Sequence, residues 1–589
     1  MSQRTITING RTVPAAEGST ILEAATQAGQ KIPTLCHHPD LPPLGACRVC
    51  LVEVEGERNL QPACSFPTRE GMVVWTHSAK VRKARRTIVE LLLSDHPSDC
   101  TACARNRNCE LQTLAEELGI REVRVRVEPR GYEVDDSSLS VVRDPDKCIL
   151  CRRCLQTCSE IQGVSGLRIR GRGYDSLVGS AFDTPLGSAL CVNCGQCINR
   201  CPTGALTERS AIAEVWEALE DPELFTVVQT APAVRIALGE ALGMPPGQIV
   251  TGRLTTALRL LGFDRVFDTD FAADLTIMEE GYELIQRVTE GGVLPQLTSC
   301  SPGWIKFIEH FYPELLPNLS TCKSPQQMFG AVAKTYFAEV AGVDPAKMRV
   351  VSIMPCTAKK FEAARPEMRA SGFQDVDYVL TTRELAQMIK EKGVDFMVLE
   401  ESEYDDPLGE STGAAVIFGV TGGVMEAALR TAYEVITGEK LDNVEIHAVR
   451  GMEGVREASV KVGDLDLRAA VAHGLANAAR LLDRVVAGEG GYHFIEIMAC
   501  PGGCLGGGGQ PIPTSPEIRQ ARADAIYQAD QEMPIRRSHE NPSIQALYER
   551  FLGKPLSERS HHLLHTQYTP RSRRAVQVQD DKSGRQTGA

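Results

Sequence analysis

The chain lacks the features of several common protein classes. It has no run of about 18 apolar residues, so no membrane-spanning helix is expected. Its start, MSQRTITINGRTV, has no charged segment followed by an apolar one, which argues against a secretory signal peptide. Basic residues are not in excess, because the net charge is −13, and nucleic-acid binding is not expected. These absences predict a cytoplasmic protein without a membrane or nucleic-acid partner.

Aromatic residues are also few, at 5%, whereas cysteines are abundant. The 589 residues include 20 cysteines, and fifteen of these lie in the first 201 residues. In a reducing cytoplasm, many cysteines indicate metal ligation rather than disulfides. Several domains are expected, since single hydrophobic cores rarely grow beyond about 250–300 residues.

The first cysteine group follows a predicted strand hairpin and helix. TITINGRTV predicts two strands with a tight Asn9-Gly10 turn, and GSTILEAATQAG predicts a helix capped by Thr20, with Glu23 closing a capping box. This order is that of a β-grasp ferredoxin with a 2Fe–2S cluster, and the ten-residue first gap resembles related domains of complex I and hydrogenases. A zinc site is the alternative. The group consists of Cys36, Cys47, Cys50 and Cys64.

The second group follows the helical stretch VRKARRTIVELLLSDH and contains one histidine. Its members are His96, Cys100, Cys103 and Cys109. One histidine and three cysteines can bind structural zinc. The group also resembles the 4Fe–4S site in the electron-entry regions of complex I and hydrogenases, which we favour because the first group lies beside it.

The third and fourth groups each have the spacing C-x2-C-x2-C-x3-C. This is the bacterial ferredoxin pattern, in which the fourth cysteine ligates the other 4Fe–4S cluster. Pro202 follows the fourth group as the pattern requires, whereas Ser159 departs from it after the third. The implied ligand sets are Cys148, Cys151, Cys154 with Cys201, and Cys191, Cys194, Cys197 with Cys158.

From about residue 212 the pattern changes to alternating strands and helices. VVQTAPAVRIAL, RVFDTDFAADL, MRVVSIMPC, VDYVLTT and GYHFIEIMAC are typical of short buried strands, with helices such as TGRLTTALRLLG between them. This alternation predicts an α/β core with parallel strands. Three segments place cysteine at expected strand ends or nearby loops: TSCSPGW, MPCTAKKFE and EIMACPGGC.

Those segments resemble the catalytic domain of iron-only, or FeFe, hydrogenases. Together with the cluster groups, they are most similar to catalytic subunits of cytoplasmic NAD(P)-linked hydrogenases, including electron-bifurcating assemblies. The family's H-cluster is a 4Fe–4S cube joined through a cysteine sulfur to a two-iron unit carrying CO, cyanide and azadithiolate. The resemblance implies that Cys356, Cys500 and Cys504 hold the cube, with Cys504 bridging, and that Lys359 hydrogen-bonds a cyanide. It assigns pocket-lining positions to Ala231, Pro232, Ser324, Pro325, Gln326, Met354 and Met498.

One position departs from the family motif TSCCPxW, whose first cysteine relays protons and whose second is the fourth cube ligand. Here the second position is Ser301, so Cys300 remains the implied proton relay and one thiolate is missing. Cys322 could replace it, or Cys300 or Ser301 could itself be the ligand. We favour Cys322, because cube irons prefer soft thiolates. The other interpretation is that Cys322 is a buried packing cysteine.

The resemblance also implies a proton path through titratable side chains within hydrogen-bonding reach of one another. It assigns Cys300, Glu280, Ser320, Glu283 and Arg287 to this path. The two glutamates and the arginine share one face of a predicted helix, at i, i+3 and i+7, and a solvated charged face is the other interpretation.

The C-terminal part predicts a helix, a Gly-Lys-Pro break and a short helix, and resembles the family's small-subunit-like region. Its histidines at 561, 562 and 565 suggest either a metal site or, as we favour, an exposed helix end. The predicted domains are a β-grasp 2Fe–2S domain (1–79), a helical domain with one-histidine, three-cysteine ligation (80–125), a ferredoxin domain for two 4Fe–4S clusters (126–211), an α/β H-cluster domain (212–535), the C-terminal region (536–570) and a disordered tail (571–589).

The resemblance implies reversible interconversion of hydrogen with protons and electrons. Electrons would pass through one 2Fe–2S and three accessory 4Fe–4S clusters to flavin- and NAD(P)-binding subunits, small 2Fe–2S subunits and, in a bifurcating assembly, ferredoxin. No nucleotide-binding fingerprint is evident in the chain itself. The alternatives are an electron-transfer subunit of a complex I-like or formate dehydrogenase-like assembly, and a non-catalytic relative that senses hydrogen or assembles iron–sulfur clusters.

Overall fold

A computed structural model describes residues 3–128, 130–463 and 465–572 of the chain. The N-terminal part contains a mixed sheet with the strand order β2-β1-β5-β3-β4. The predicted hairpin is confirmed: β1 and β2 pair antiparallel across Asn9 and Gly10, both of which have positive φ. The strands are β1 (Gln3–Ile8), β2 (Arg11–Ala16), β3 (Leu51–Val54), β4 (Gln61–Pro62) and β5 (Val73–Trp75).

The predicted capping box is also confirmed at helix α1 (Ile21–Gln27). The Thr20 hydroxyl accepts from the Glu23 backbone N–H, and the Glu23 carboxylate accepts from the Thr20 N–H. Two further helices follow, α2 (Ala79–Ser94) and α3 (Glu110–Glu117). Their apolar faces share one core with Leu35 and Val49 of the N-terminal part, so the first two cysteine groups are packed together.

The next part of the chain has little regular structure. Two antiparallel two-stranded ribbons and two short helices frame its cysteine loops. These elements are α4 (Arg153–Gln156), α5 (Gln196–Arg200), β6 (Val141–Arg143), β7 (Arg168–Arg170), β8 (Leu177–Gly179) and β9 (Leu206–Glu208).

The predicted α/β core is confirmed, and its strands belong to two sheets. The first is wholly parallel, with the order β11-β10-β13-β14. The second has the order β12-β17-β16-β15, in which only the β15–β16 pair is antiparallel. The strands are β10 (Phe225–Thr230), β11 (Arg265–Asp268), β12 (Gln296–Leu297), β13 (Met348–Met354), β14 (Tyr378–Thr381), β15 (Val455–Val462), β16 (Leu465–His473) and β17 (Phe494–Met498).

Helices cover both sheets, and one of them shortens a predicted strand. RVFDTDFAADL forms a strand only as far as Asp268, because the Asp268 carboxylate accepts the Asp270 N–H and caps the long helix α9. The helices are α6 (Ile212–Glu220), α7 (Leu238–Ala241), α8 (Thr251–Leu261), α9 (Thr269–Glu290), α10 (Pro302–Phe311), α11 (Pro325–Val332), α12 (Ala338–Ala341), α13 (Ala358–Ala363), α14 (Thr382–Glu391), α15 (Gly413–Val416), α16 (Gly423–Thr437), α17 (Leu475–Val486) and α18 (Pro516–Glu532).

The C-terminal region forms the predicted helix, break and short helix, α19 (Pro542–Leu547) and α20 (Glu558–Leu564). Leu547, Leu552 and Leu564 pack into the core of the first α/β sheet. Arg571 is also ordered, because its backbone N–H donates to the Glu309 carbonyl, whereas the rest of the predicted tail from residue 573 lies outside the described residues. Among the described residues, no helix combines the length and apolar composition needed to cross a bilayer.

Candidate active site and cysteine-lined cavities

The three predicted cysteine segments meet at one cavity between the two α/β sheets. Each follows the carboxyl end of a parallel strand, where open α/β sheets bind their ligands. The cavity has a volume of about 80 Å³. Its lining includes Cys300, Ser301, Cys356, Cys500, Cys504, Lys359, Ala231, Pro232, Pro325, Gln326, Met354 and Met498.

The cavity thiols have an environment that suits metal ligation. Burial raises the pKa of the Cys504 thiol to about 12, with a further contribution from Cys356, so a free thiolate is disfavoured here. Burial also raises the pKa of Cys500, and the charges of Cys356, Cys194 and Cys504 add to that effect. A cationic iron cluster would neutralise these thiolates, and the residues present therefore fit such a group.

The glycine-rich segment after Cys504 allows close approach of its backbone to neighbouring loops. A Cβ at Gly507 would lie 2.0 Å from the Pro355 carbonyl oxygen, and one at Gly508 would lie 2.2 Å from the Cys194 carbonyl oxygen. Only glycine fits at these two positions, because any side chain would collide with the neighbouring backbone.

Lys359 lies at the start of α13 and extends into the cavity. Its Nζ donates to the Cys300 carbonyl oxygen at 3.1 Å and to Glu362 Oε2 at 2.9 Å. Glu362 was not predicted as a site residue, although its spacing of three residues from Lys359 on a helix would have indicated it. These two contacts fix the ammonium group against the cavity wall.

Ser324 is a correction to the predicted pocket lining. Its hydroxyl donates to Glu362 Oε2 at 2.9 Å, so its contact with the cavity runs through Glu362. The other six predicted pocket positions do line the cavity. The reason is that Ser324 directly precedes α11, and its hydroxyl does not cap that helix but bonds to Glu362 of α13.

Cys300 and Ser301 occupy different places in the cavity. Burial raises the pKa of the Cys300 thiol, and the nearby charges of Glu280 and Cys504 raise it further. The Ser301 hydroxyl oxygen accepts from the Ala499 N–H at 3.2 Å, next to Cys500 in the chain. The Ser301 hydroxyl therefore lies next to Cys500 in the chain, whereas the Cys300 thiol is close to both Glu280 and Cys504.

Cys322 lies outside this cavity, and its predicted role as the fourth cube ligand is corrected. It is fully buried in the core of the first sheet, with its Sγ 3.9 Å from Glu283 Oε2 and 3.9 Å from His565 Nδ1. Its position two residues before Ser324 in sequence was misleading, because Cys322 pairs with the C-terminal segment in a bridge to His565.

Glu280, Glu283 and Arg287 all lie on helix α9, and three of the path residues, Ser320, Glu283 and Arg287, are hydrogen-bonded in succession. Glu283 accepts from the Ser320 hydroxyl at 2.8 Å and from Arg287 Nη2 at 2.7 Å. Burial raises the pKa of Glu280 to about 8, and the negative charge of Glu283 adds to this rise. Neither Glu280 oxygen has a hydrogen-bond partner among the described residues. Glu280 thus holds a proton near neutral pH, between Cys300 and Ser320.

The four cysteines of the first group lie in mutual contact. Hydrogen bonds from Cys47 and Cys64 lower the pKa of Cys36, and Cys64 likewise lowers the pKa of Cys50. Three of the four thiols are buried in the described part of the chain. Such a set of convergent thiols can hold a metal centre.

The second group is less closely assembled. The charge of Cys103 contributes to the raised pKa of Cys109, after burial as the main cause. His96 Nδ1 is buried without a hydrogen-bond partner among the described residues, as expected of a nitrogen that binds metal. His96 lines a cavity with Cys148 of the third group.

The third and fourth groups form two cavities with exchanged fourth cysteines. One cavity is lined by Cys148, Cys151, Cys154 and Cys201, and the other by Cys158, Cys191, Cys194 and Cys197. The structure therefore brings together the two sets that the ferredoxin spacing predicted.

The second of these cavities adjoins the active-site cavity. Cys194 lines both of them. The Gln196 side-chain amide donates to the Gly506 carbonyl at 2.7 Å, and the Thr357 hydroxyl donates to the Asn193 carbonyl at 2.7 Å. Backbone and side-chain contacts therefore connect the ferredoxin-like segment directly to the loops that carry Cys356 and Cys504.

His565 was expected at an exposed helix end, and the structure corrects this. His565 is 8% exposed, and its Nε2 lies 3.0 Å from Glu279 Oε2 on helix α9. His565 forms an isolated antiparallel bridge with Cys322, and this pairing places the ring inside the protein. His561 and His562 are exposed, as predicted.

Five family profiles match the chain in the order of its cysteine groups. They are a 2Fe–2S iron-sulfur cluster binding domain (2–79), an NADH-ubiquinone oxidoreductase-G iron-sulfur binding region (85–124), the ferredoxin-like domain of NADH-quinone oxidoreductase subunit 3 (139–207), the iron only hydrogenase large subunit, C-terminal domain (225–508), and the iron hydrogenase small subunit (516–571).

Known proteins resemble the chain over almost its whole length. The NADP-reducing hydrogenase subunit HndD of Solidesulfovibrio fructosivorans is 56% identical and covers 97% of this chain and 100% of its own. Iron hydrogenase 1 of Clostridium pasteurianum is 41% identical, with 96% and 100% covered. A structure of apo [FeFe]-hydrogenase HydA1 from Chlamydomonas reinhardtii, 45% identical, superposes with a TM-score of 0.56 over 62% of this chain and 99% of that one.

Proposed function

Because the chain belongs to the iron-only hydrogenases and combines their catalytic domain with 2Fe–2S and 4Fe–4S domains, we propose that it is the hydrogen-converting subunit of an NADP-linked complex. The contact between the Cys194 cavity and the active-site cavity carries this proposal, since it joins an electron path to a hydrogen site. The H-cluster supplies the reversible transfer of electrons between hydrogen and the iron–sulfur chain. The chain's own residues bind that group, exclude water and move protons.

Cys356, Cys500 and Cys504 are the proposed thiolate ligands of the cube. Ser301 is the proposed side chain at its fourth corner, because its hydroxyl is held next to Cys500. Lys359 is positioned to donate from the cavity wall to an anionic group, and a buried ammonium makes a strong, orienting hydrogen bond to such a group.

Protons are proposed to move along the series Cys300, Glu280, Ser320, Glu283 and Arg287. Glu280 is suited to the inner step, because burial keeps it protonated near neutral pH. Ser320 donates to Glu283, and Arg287 holds that carboxylate at the outer end. The path then reaches the protein surface at the C-terminal end of α9.

Electrons are proposed to pass through the four cysteine groups in order. The groups would hold one 2Fe–2S and three 4Fe–4S clusters, with His96 as the single imidazole ligand. Burial of Cys154 and Cys197 supports this assignment, because their pKa values are raised by burial and by the other cysteines of each cavity. The final acceptors are proposed to be flavin- and NADP-binding partner subunits, and the 56% identical relative, an NADP-reducing hydrogenase subunit, supports the NADP part of this proposal.

A function in electron transfer alone is disfavoured by the active-site cavity. A chain that only transfers electrons does not need a fifth set of cysteines around a buried lysine. A non-catalytic relative would not need the proton path, in which Glu280 is held buried and protonated beside Cys300.

The proposal is tested with the purified chain matured with its two-iron unit. Hydrogen evolution from a reduced artificial dye is expected, without oxidation of NADPH or NADH by the chain alone. Infrared bands of bound CO and cyanide would report the assembled group independently of turnover. Protein that shows these bands but no dye-linked hydrogen evolution would contradict the proposed catalysis, and direct NADPH oxidation would contradict the need for partner subunits.

A further inference from the structure

A separate set of possible metal ligands lies outside the cysteine-lined cavities. Glu283, Cys322 and His565 are all buried, and their ligand atoms lie within 4.8 Å of one another. Cys322 Sγ is 3.9 Å from both Glu283 Oε2 and His565 Nδ1. Ligand atoms around a tetrahedral zinc ion are roughly 3.3–3.8 Å apart, because the metal–ligand bonds measure about 2.0–2.3 Å. The three atoms therefore need only small movements to bind one ion.

The histidine of this group already has the support that metal-binding histidines require. His565 Nε2 contacts Glu279 Oε2 at 3.0 Å, and Glu279 also accepts from the Tyr548 hydroxyl at 2.5 Å and from the Leu556 N–H at 3.0 Å. A carboxylate bonded to one imidazole nitrogen fixes the ring and leaves the other nitrogen as a ligand. That other nitrogen is Nδ1, which faces Cys322 and otherwise contacts the Thr321 hydroxyl at 2.8 Å.

The charge of the surroundings also favours a cation. Glu283 and Glu279 place negative charge around Cys322. Among the described residues, Glu283 is paired with Arg287, and Glu279 is paired only with His565. A divalent ion bound by one thiolate, one imidazole and one carboxylate would balance this charge.

The C-terminal segment holds His565 in place across from Cys322. The two residues form an isolated antiparallel bridge, with the Lys323 N–H bonded to the Leu564 carbonyl at 2.8 Å and the Thr566 N–H to the Thr321 carbonyl at 2.7 Å. Glu283 and His565 are 7% and 8% exposed, so the group lies just beneath the surface.

We propose that Glu283, Cys322 and His565 bind a divalent ion of the zinc class, and that the bound ion stops proton transfer through Glu283. The second half rests on the proposed function of the proton path. Metal binding would occupy Glu283 Oε2, the same oxygen that accepts from the Ser320 hydroxyl at 2.8 Å. The Cys322 thiol gives up its proton to solvent as its sulfur binds the ion, so no redox step is involved.

The test titrates zinc chloride into the anaerobic, fully matured chain after its iron content has been verified. One equivalent of zinc is expected, with a zinc absorption-edge spectrum that shows one sulfur neighbour at about 2.3 Å and nitrogen or oxygen neighbours at about 2.0 Å. Dye-linked hydrogen evolution should fall about 10²-fold or more, as expected for the loss of one proton-transfer group.

Two variants and one control identify the site. Cys322→Ser and His565→Gln should each lose the equivalent of zinc, and the ratio of activity with zinc to activity without it should return to about one. His539→Gln removes the histidine of a more exposed group, Glu434, His539 and Glu540, and should leave both effects unchanged. Iron content of each variant shows that it has folded.

The outcomes separate the two halves of the proposal. Zinc retained by both variants, or a zinc spectrum without sulfur, would overturn the site. Zinc bound with its sulfur neighbour but without loss of turnover would overturn its effect on proton transfer. If the zinc-free chain evolves no hydrogen, the proposed function fails, and the spectrum still decides whether the site exists.

Discussion

At the scale of single residues, Ser301 stands where the motif TSCCPxW has its second cysteine. Iron–sulfur irons favour thiolates, and an oxygen ligand changes the charge and the potential of a cluster. The hydroxyl of Ser301 is held beside Cys500 by the Ala499 N–H, whereas Cys322 lies in a different core. Ser301 and Cys300 are therefore the remaining alternatives for the fourth ligand of the cube. The contact of Ser301 with Ala499, next to Cys500 in the chain, favours Ser301.

We predict that Ser301→Cys keeps an assembled cube and shifts its reduction potential, because one ligand changes from oxygen to sulfur. Ser301→Ala should reduce the iron bound at the cube and hydrogen turnover by about tenfold or more, since a ligand is lost. Electron paramagnetic resonance of the reduced protein measures the cube directly. Cys322→Ala is the matched control and should leave that spectrum unchanged. An unchanged potential in Ser301→Cys would indicate that Ser301 is not a ligand.

Glu280 gives a prediction about pH. Its carboxyl has a pKa of about 8 in the folded chain and about 4.3 when unfolded, so the folded state retains a proton that the unfolded state loses between these values. Stability should therefore fall as the pH rises from about 5 to 8 and level off above that. Glu280→Gln should remove this part of the pH dependence and lower turnover about 10²-fold.

The thermal midpoints of the two proteins, compared at each pH, test this effect. The difference between Glu280→Gln and the unaltered chain should grow in favour of the variant from pH 5 to pH 8. A difference independent of pH would show that Glu280 is not protonated in the folded state.

At the scale of elements, the site depends on loops at strand ends that approach one another very closely. The segment after Cys504 passes the Cys194 loop with no room for a side chain at Gly508. We predict that Gly508→Ala destabilises the chain by about 1–3 kcal/mol, as overpacking does, and slows electron delivery to the active site.

The denaturation midpoint measures the loss of stability. The rate at which the reduced accessory clusters are reoxidised, with protons as the electron acceptor, measures electron delivery. Gly281→Ala is the matched control, because a Cβ there meets nothing within 4 Å, and it should leave the stability equal or higher. Equal stability of Gly508→Ala would show that the two loops can move apart.

Helix α9 connects the functional parts at this scale. One face of this helix carries the proton-path residues Glu280, Glu283 and Arg287. Glu279 of the same helix contacts His565 of the C-terminal segment. The same helix therefore places the proton path and the proposed zinc site side by side.

At the scale of the whole molecule, Asp40 connects three parts of the chain. Its carboxylate lies 2.6 Å from Arg200 of the ferredoxin-like part and 2.7 Å from Arg519 of helix α18. Burial raises the pKa of Asp40, but the two arginines outweigh this and lower it to about 2. Its contribution to stability is therefore present above the unfolded pKa of about 3.9 and is lost as the pH falls toward 2.

We predict that Asp40→Asn loosens the N-terminal domain, because two buried arginines lose their counter-charge at a cost of about 3–5 kcal/mol. Hydrogen exchange of residues 36–64 should become faster. Glu57→Gln, which removes an exposed ion pair with Arg69, should have little effect. Equal exchange rates in both variants would show that the domain is held by other contacts.

Local sequence patterns were sufficient for much of the fold and for the ligand groups. The Asn9-Gly10 turn, the Thr20 capping box and the strand ends at Cys356 and Cys500 depend on neighbouring residues, so spacing and residue type predicted them. The exchange of Cys158 and Cys201 between two cavities followed from the ferredoxin spacing. The family resemblance supplied the roles proposed for these residues.

The sequence by itself therefore determined the order of the cysteine groups, the α/β alternation and the face of α9 that carries the proton path. Each of these depends only on residues close together in the chain. Only the tertiary structure decided that Cys322 lies apart from the cube cysteines, that Ser324 acts through Glu362, and that His565 is buried beside Glu279. Those three outcomes depend on how distant segments pack, and residues 322 and 565 meet only because the C-terminal segment docks on the core.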